Sequence, residues 1–199
     1  IPLGPSTRSI VTRLAAPSTD AAVRLAAELV DARFETLPRA AAGCDAIVAT
    51  GLMPAGARDV AELLGIRYVL ATFHVFGLPS RHFAPAARPG TPSPEGETDN
   101  RTLWRQDADR VNALYAEPLN RNRAALGLPP IVDVRDHVLG DRPWLAADPI
   151  LAPWADLTDL PLVQTGAWIL PDDRPLPDEA EAFLAAGDAP VYVGFGSMA

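Results

Sequence analysis

His74 is the residue with the most obvious chemical potential. It follows the apolar run Ile66 to Thr72, and a histidine there can take a proton from a substrate hydroxyl, since imidazole titrates near neutrality. It can equally be a pocket-wall or hydrogen-bonded structural group. His82 and His137 have no partner pattern and read as solvated loop residues. Spacings of 8 and 55 between successive histidines match no metal-ligand set, so no metal is expected. At the far end, Val191-Tyr192-Val193 runs into a glycine turn. The amides of Gly194 and Gly196 and the hydroxyl of Ser197 can approach an anion there, or the turn is only a turn. Phe73, Phe76, Phe83 and Pro79 crowd one stretch, offering stiff apolar surface for a ring-rich ligand or a staple for the loop that carries them. Asp172-Asp173 reads as a solvated linker, and Asp178, Glu179 and Glu181 as a helix N-terminus, where negative charge suits the dipole.

Other chemistries are excluded within this chain. All 17 basic residues are arginine, so Schiff-base chemistry and a phosphate-binding lysine are absent. No G-x-S-x-G elbow exists. Cys44 is the single cysteine, unable to form an internal disulfide, and reads as a small buried apolar residue. The 199 residues carry 25 acidic groups against those 17, a net charge of −8 that disfavours a phosphate-backbone grip, so no nucleic acid is expected. With 48% hydrophobic and 21% charged residues, the composition is that of a globular protein. No apolar run is long enough to span a bilayer, and no signal-peptide pattern opens the chain, so a cytoplasmic monomer is expected. The chain starts without Met and stops just past Gly194, as a piece of a longer protein would.

The elements that must position these residues follow from periodicity. Ile1 to Ser18 reads as loop. Asp20 can cap a helix whose apolar face is Val23, Ala26, Ala27, Val30, Phe34 and Leu37, with a stop at Gly43. Asp45 to Thr50 and Ile66 to Thr72 read as buried parallel strands. Between them lies a helix with inner residues Ala57, Val60, Ala61 and Leu64, closed by Gly65. Phe73 to Asp99 is a long loop holding Pro79, Pro85, Pro89, Pro92 and Pro94. Asn100 can cap a helix running to about Leu126. Trp144 to Ala147 and Leu162 to Gln164 are short strands, Asp178 caps a helix ending at Gly187, and Pro190 to Phe195 is a last strand. Helices alternating with strands over short connections predict a doubly wound α/β sheet, with ligands outside the strands' carboxyl ends. The loops after Thr50 and Thr72 then lie on the functional edge.

Several segments carry a family likeness. Gly140-Asp141-Arg142-Pro143-Trp144 through Pro153, Val163-Gln164-Thr165-Gly166-Ala167-Trp168 through Asp172, and Pro190 to Ser197 resemble the glycopeptide-antibiotic glycosyltransferases of the vancomycin and chloroeremomycin group. Cys44 to Leu52 and Ala61 to Ile66 fit as well. The resemblance is weakest from Val75 to Arg105. It implies a Rossmann-like doubly wound parallel sheet, the acceptor domain of the two-domain GT-B arrangement, incomplete at its N-terminus. Residues 1–163 would be part of that domain, 164–189 the interdomain linker, and 190–199 the first strand and turn of the nucleotide-sugar domain. The implied reaction is inverting sugar transfer from a UDP- or TDP-sugar co-substrate to a hydroxyl of a peptide-antibiotic aglycone or pseudoaglycone, without a cofactor. Gly194, Gly196 and Ser197 would border the donor diphosphate. By position alone, His74, Phe76, Arg81 and Phe83 would line the acceptor cleft. The family's catalytic Asp would lie upstream of this chain, so no residue here is assigned that role, and His74 is a candidate by position alone. The competing expectations are an aglycone-binding fragment that transfers nothing, and a transferase acting on polyketides or sterols.

Overall fold

The computed structural model describes residues 18–51, 53–86, 96–155 and 160–194. The loop expected over residues 1–17, Pro89, Pro92 and Pro94 of the long loop, and Phe195, Gly196 and Ser197 of the terminal turn lie outside them. The chain divides into two compact units, Ile1–Trp168 and Ile169–Ala199.

The first unit is built on four parallel strands in the order β1-β2-β3-β4: β1 (Ala46–Ala49), β2 (Arg67–Thr72), β3 (Trp144–Leu145) and β4 (Val163–Gln164). Val48 lies beside Val69, Thr72 beside Leu145, and Leu145 beside Gln164. A parallel pair cannot be closed by a tight hairpin, so long crossovers separate the strands. This is the Rossmann-like α/β class that the alternating pattern predicts. β2 becomes buried toward its end, at Leu70, Ala71 and Thr72, so its carboxyl end emerges from the core at Phe73 and His74.

Helix α1 (Thr19–Ala40) starts two residues earlier than Asp20 suggests. Ser18 is the cap, its hydroxyl accepting from Ala21 N at 3.2 Å, and Asp20 sits in the first turn. Leu25, Ala26 and Val30 are its buried residues. Val23 is left exposed, because α1 packs chiefly on the long helix α3, and the buried stripe turns toward that partner. Helix α2 (Ala57–Leu64) begins after Gly56, whose φ of 100° favours glycine and where a Cβ would lie only 3.3 Å from the Phe34 ring. Gly65 closes it in the left-handed conformation, as expected.

Helix α3 (Asn100–Ala125) is capped by Asp99, not Asn100. The Asp99 carboxylate accepts from Thr102 N at 3.0 Å and from its hydroxyl at 2.7 Å, while the Asn100 amide donates to Arg81 O. A short helix α4 (Val134–Leu139) was not anticipated; Asp133 caps it through Asp136 N. Its Val134, Val138 and Leu139 join Leu70, Val111, Leu119 and Leu145 in the core. His137 therefore belongs to a packed helix, and the reading of it as a solvated loop residue is corrected. Cys44 is corrected the other way. It is exposed, in the turn after α1 where its amide donates to Ala41 O.

The connection from β3 to β4 is held by two side chains. The Asp148 carboxylate accepts from Ile150 N at 2.8 Å and Leu151 N at 3.0 Å. The Gln164 amide donates to Ala147 O and Ala152 O and accepts from Trp154 N.

In the second unit, helix α5 (Asp178–Ala185) follows Pro177, with Asp178, Glu179 and Glu181 in its first turn and no buried residue. It ends two residues before Gly187. The strand expected from Pro190 is not formed over the described residues 190–194, where Val191, Tyr192 and Val193 are exposed. A strand needs paired N–H and C=O groups, and the described sheet contains only β1 to β4.

Candidate functional site

The carboxyl ends of β1 and β2 open onto a small cavity of about 40 Å³, lined by Gly51, Leu70, Thr72, His74, Phe76 and Trp104 among others. Buried Met53, Leu70, Val138 and Leu139 make its apolar wall, and His74 and Arg135 are the ionisable groups that line it. His74 leaves β2 with extended backbone, φ −150° and ψ 149°, and precedes a single 3-10 turn, Val75–Gly77. The turn anchors the start of the long loop through buried Val75 and Leu78. The Thr72 hydroxyl donates to His74 O at 3.2 Å, tying the turn to the strand.

The rings at this edge meet both edge-to-face and stacked. Phe76 and Phe83 meet at 5.8 Å and 88°, and the His74 ring lies 6.5 Å from Phe76 at 29°. Phe83 is half-buried against the core, and its carbonyl accepts from the Trp104 indole at 2.7 Å, so it acts as the staple. Phe76 and His74 are exposed, as a ligand surface requires. The staple reading therefore holds for Phe83, while Phe76 and His74 keep their rings exposed. Arg81 is not at this mouth. It lines an adjacent open groove with Arg101, Arg105 and Asp109.

Sequence reasoning missed a second aromatic group at the same edge. Phe73 meets Trp168 at 5.6 Å and 84°, and Trp168 meets Trp144 at 6.2 Å and 80°. The Trp168 indole donates to the Thr165 hydroxyl at 2.9 Å. Phe73 and Trp168 remain about half exposed. Parallel pairing alone brings them together, since the ends of β2, β3 and β4 are adjacent in space and distant in sequence.

A polar cluster was missed as well. Asp59, fully buried, accepts from Arg123 at 2.6 Å, from His137 at 3.0 Å and from Gly56 N at 3.1 Å. Arg123 also donates to Glu62 at 2.9 Å and to Pro129 O at 2.7 Å. Burial works to raise the Asp59 carboxyl, but the hydrogen bonds from His137 and Arg123 outweigh it and hold it below the usual carboxylate range. Nearby, burial pushes the Tyr68 phenol up, and its hydroxyl donates to Val138 O. Asp59, Glu62 and His137 bring three ligand-type atoms within 4.8 Å of one another, although no spacing in the sequence suggests it. The Arg123 guanidinium already supplies the positive charge between Asp59 and Glu62, so the donor set fits an ion-pair network better than a metal site. The signal in the sequence was Asp59 three residues after Gly56, a first-turn acid at a helix start.

Gly194 is exposed in the second unit, and no anion-binding turn is described there.

The whole of this chain aligns with "Glycosyltransferase GtfE" of Amycolatopsis orientalis at 48% identity, covering 49% of that protein. The chain is a homologue of the vancomycin-group glycosyltransferases. It is also 44% identical, over its full length, to the "Vancomycin aglycone glucosyltransferase" of Amycolatopsis orientalis, covering 49% of that protein. A third relative, the "dTDP-epi-vancosaminyltransferase" of the same organism, is 47% identical over 88% of this chain and 40% of its own length. The chain thus spans about half the length of the curated relatives it matches, or somewhat less. No family model matches it. Among the described residues, no helix of this glycosyltransferase homologue is long and apolar enough to cross a membrane.

Proposed function

We propose that the protein carrying this chain transfers a sugar from a nucleoside-diphosphate sugar, UDP- or TDP-linked, to a hydroxyl of a glycopeptide-antibiotic aglycone or pseudoaglycone, with inversion and without a cofactor. Residues 1–163 contribute the acceptor side, 164–189 link, and 190–199 begin the donor domain. The observation that carries this reading is the identity of 44–48% over the entire chain to relatives named as glycosyltransferases, one of them for vancomycin aglycone.

The acceptor seats against the edge where His74 and Phe76 are exposed beside the cavity. Ring surfaces offer apolar contact to an aromatic peptide, and imidazole can accept the proton as the acceptor oxygen attacks the anomeric carbon. The C–O bond to the diphosphate breaks as the new glycosidic bond forms. The charge gathering on the leaving diphosphate is met by the backbone amides of Gly194 and Gly196 and the Ser197 hydroxyl. Phe83 supports Phe76, and Arg81 faces the neighbouring groove, where it can meet an acidic group of the acceptor.

Full-length protein and the 199-residue chain, each given vancomycin aglycone with UDP-glucose or a TDP-sugar, test this. The full-length protein should form a glycosylated aglycone, and the chain alone should bind aglycone without transfer. Product from a polyketide or sterol with none from any heptapeptide aglycone contradicts the acceptor class. Turnover by the chain alone contradicts the division of roles.

A further inference from the structure

Gly77 has no backbone reason to be glycine. It is not among the residues with positive φ, and its turn is closed by a long bond from Gly77 N to His74 O at 3.5 Å and one from Leu78 N to Val75 O at 3.2 Å. Its reason is space. A Cβ at Gly77 would lie 3.0 Å from the Thr72 hydroxyl, 3.2 Å from Cε1 of His74 and 3.6 Å from its Nδ1. The first two distances are shorter than comfortable van der Waals contact. The Cε1–Nδ1 edge of the imidazole thus borders the space that a side chain at residue 77 would fill, with Phe76 stacked at 29° beside it. Thr72 cannot yield easily: it is buried at the end of β2, and its hydroxyl is committed to His74 O. The Thr72 contact is the closer of the two, and of the two neighbours the exposed histidine ring is the freer to shift, by a few tenths of an ångström.

We propose that Gly77 is a positioning residue for His74. Its missing side chain forms a seat, with Thr72 and Phe76, that fixes the imidazole's orientation at the mouth of the cavity. The seat leaves Nε2 as the nitrogen farther from the turn and so the one presented to an acceptor hydroxyl. The functional part rests on the reading of His74 as an acceptor-side residue; the seat itself does not. Any side chain at position 77 rotates the ring off this seat, and a misplaced base loses the alignment that a near-attack geometry requires.

Two measurements test it separately. In the wild-type protein, a nuclear Overhauser contact between His74 Hε1 and the Gly77 Hα protons is expected, and its absence overturns the seat whatever any variant does. In the full-length protein, with vancomycin aglycone as acceptor, Gly77→Ala should lower kcat about threefold to tenfold. In a His74→Ala background the same substitution should change it less than about twofold. An equal loss in both backgrounds overturns the proposal, because Gly77 would then act on the turn and not through the ring. If His74→Ala alone leaves acceptor KM and kcat unchanged, the acceptor-side reading of His74 fails, and the Overhauser contact still decides whether Gly77 seats the ring. Should Gly77→Ala fail to fold, the wild-type contact remains decisive.

Discussion

Two clusters of histidine and polar or aromatic groups stand in the first unit, and they differ in how much of their bonding capacity is already spent. Around Asp59, every strong group has a partner: three donors on one carboxylate, and three acceptors on Arg123. At the carboxyl edge of the sheet, His74, Phe73, Phe76 and Trp168 are held in place yet keep about half or more of their surface in water. A satisfied buried network holds helices in register and has little left for a ligand. A positioned but uncommitted edge is what a binding site requires. His137 and His74 are the same residue type, and their surroundings assign them opposite duties.

The contrast should appear in stability first. Arg123→Ala leaves the Asp59 carboxylate buried without its strongest partner and should cost about 3–5 kcal/mol. Urea denaturation measures it, and a loss under about 1 kcal/mol would mean that the network does not hold α2 to α3. Asp59→Asn should show a pH-dependent loss. The folded carboxyl titrates below its unfolded value of about 3.9, so its contribution is full above that pH and disappears as the pH falls through the folded value. The gap between wild-type and Asp59→Asn urea midpoints should therefore be widest near neutrality and close progressively below pH ~4. A gap that stays constant down to pH ~2.5 contradicts the depressed carboxyl.

Gly56→Ala should cost about 1–2 kcal/mol, because a side chain at φ 100° is strained and crowds Phe34; calorimetry checks this. The smallest stability effect should come from the edge. Phe76→Ala should change stability by no more than about 1 kcal/mol while weakening aglycone binding about tenfold. The reverse pattern would make Phe76 a structural ring.

The fold class was legible because its signals are local. Asp45 to Thr50 and Ile66 to Thr72 are short apolar runs bounded by turns, and Gly65 ends α2 as glycine does. Element starts were less legible, since Ser18, Asp99 and Pro177 stand one or two positions before the residues chosen as caps. All of these types can open a helix, and only the backbone geometry decides among them. Helix α4 is six residues long, too short for a helical period to show. The edge residues His74, Phe76 and Phe83 were legible from their place after a strand. Trp144, Trp168, Thr72 and Gly77 were not, because their roles exist only once parallel strand ends are neighbours. Asp59 and Arg123 are 64 positions apart, and their pairing has no periodic trace.

The central claim is that the acceptor meets the carboxyl edge at His74 and not the buried network at His137. Titrating vancomycin aglycone into protein labelled at histidine and phenylalanine rings tests it most directly. The account predicts saturable shifts of the His74 and Phe76 ring resonances, with His137 unchanged. Shifts at His137 with His74 and Phe76 silent would contradict it.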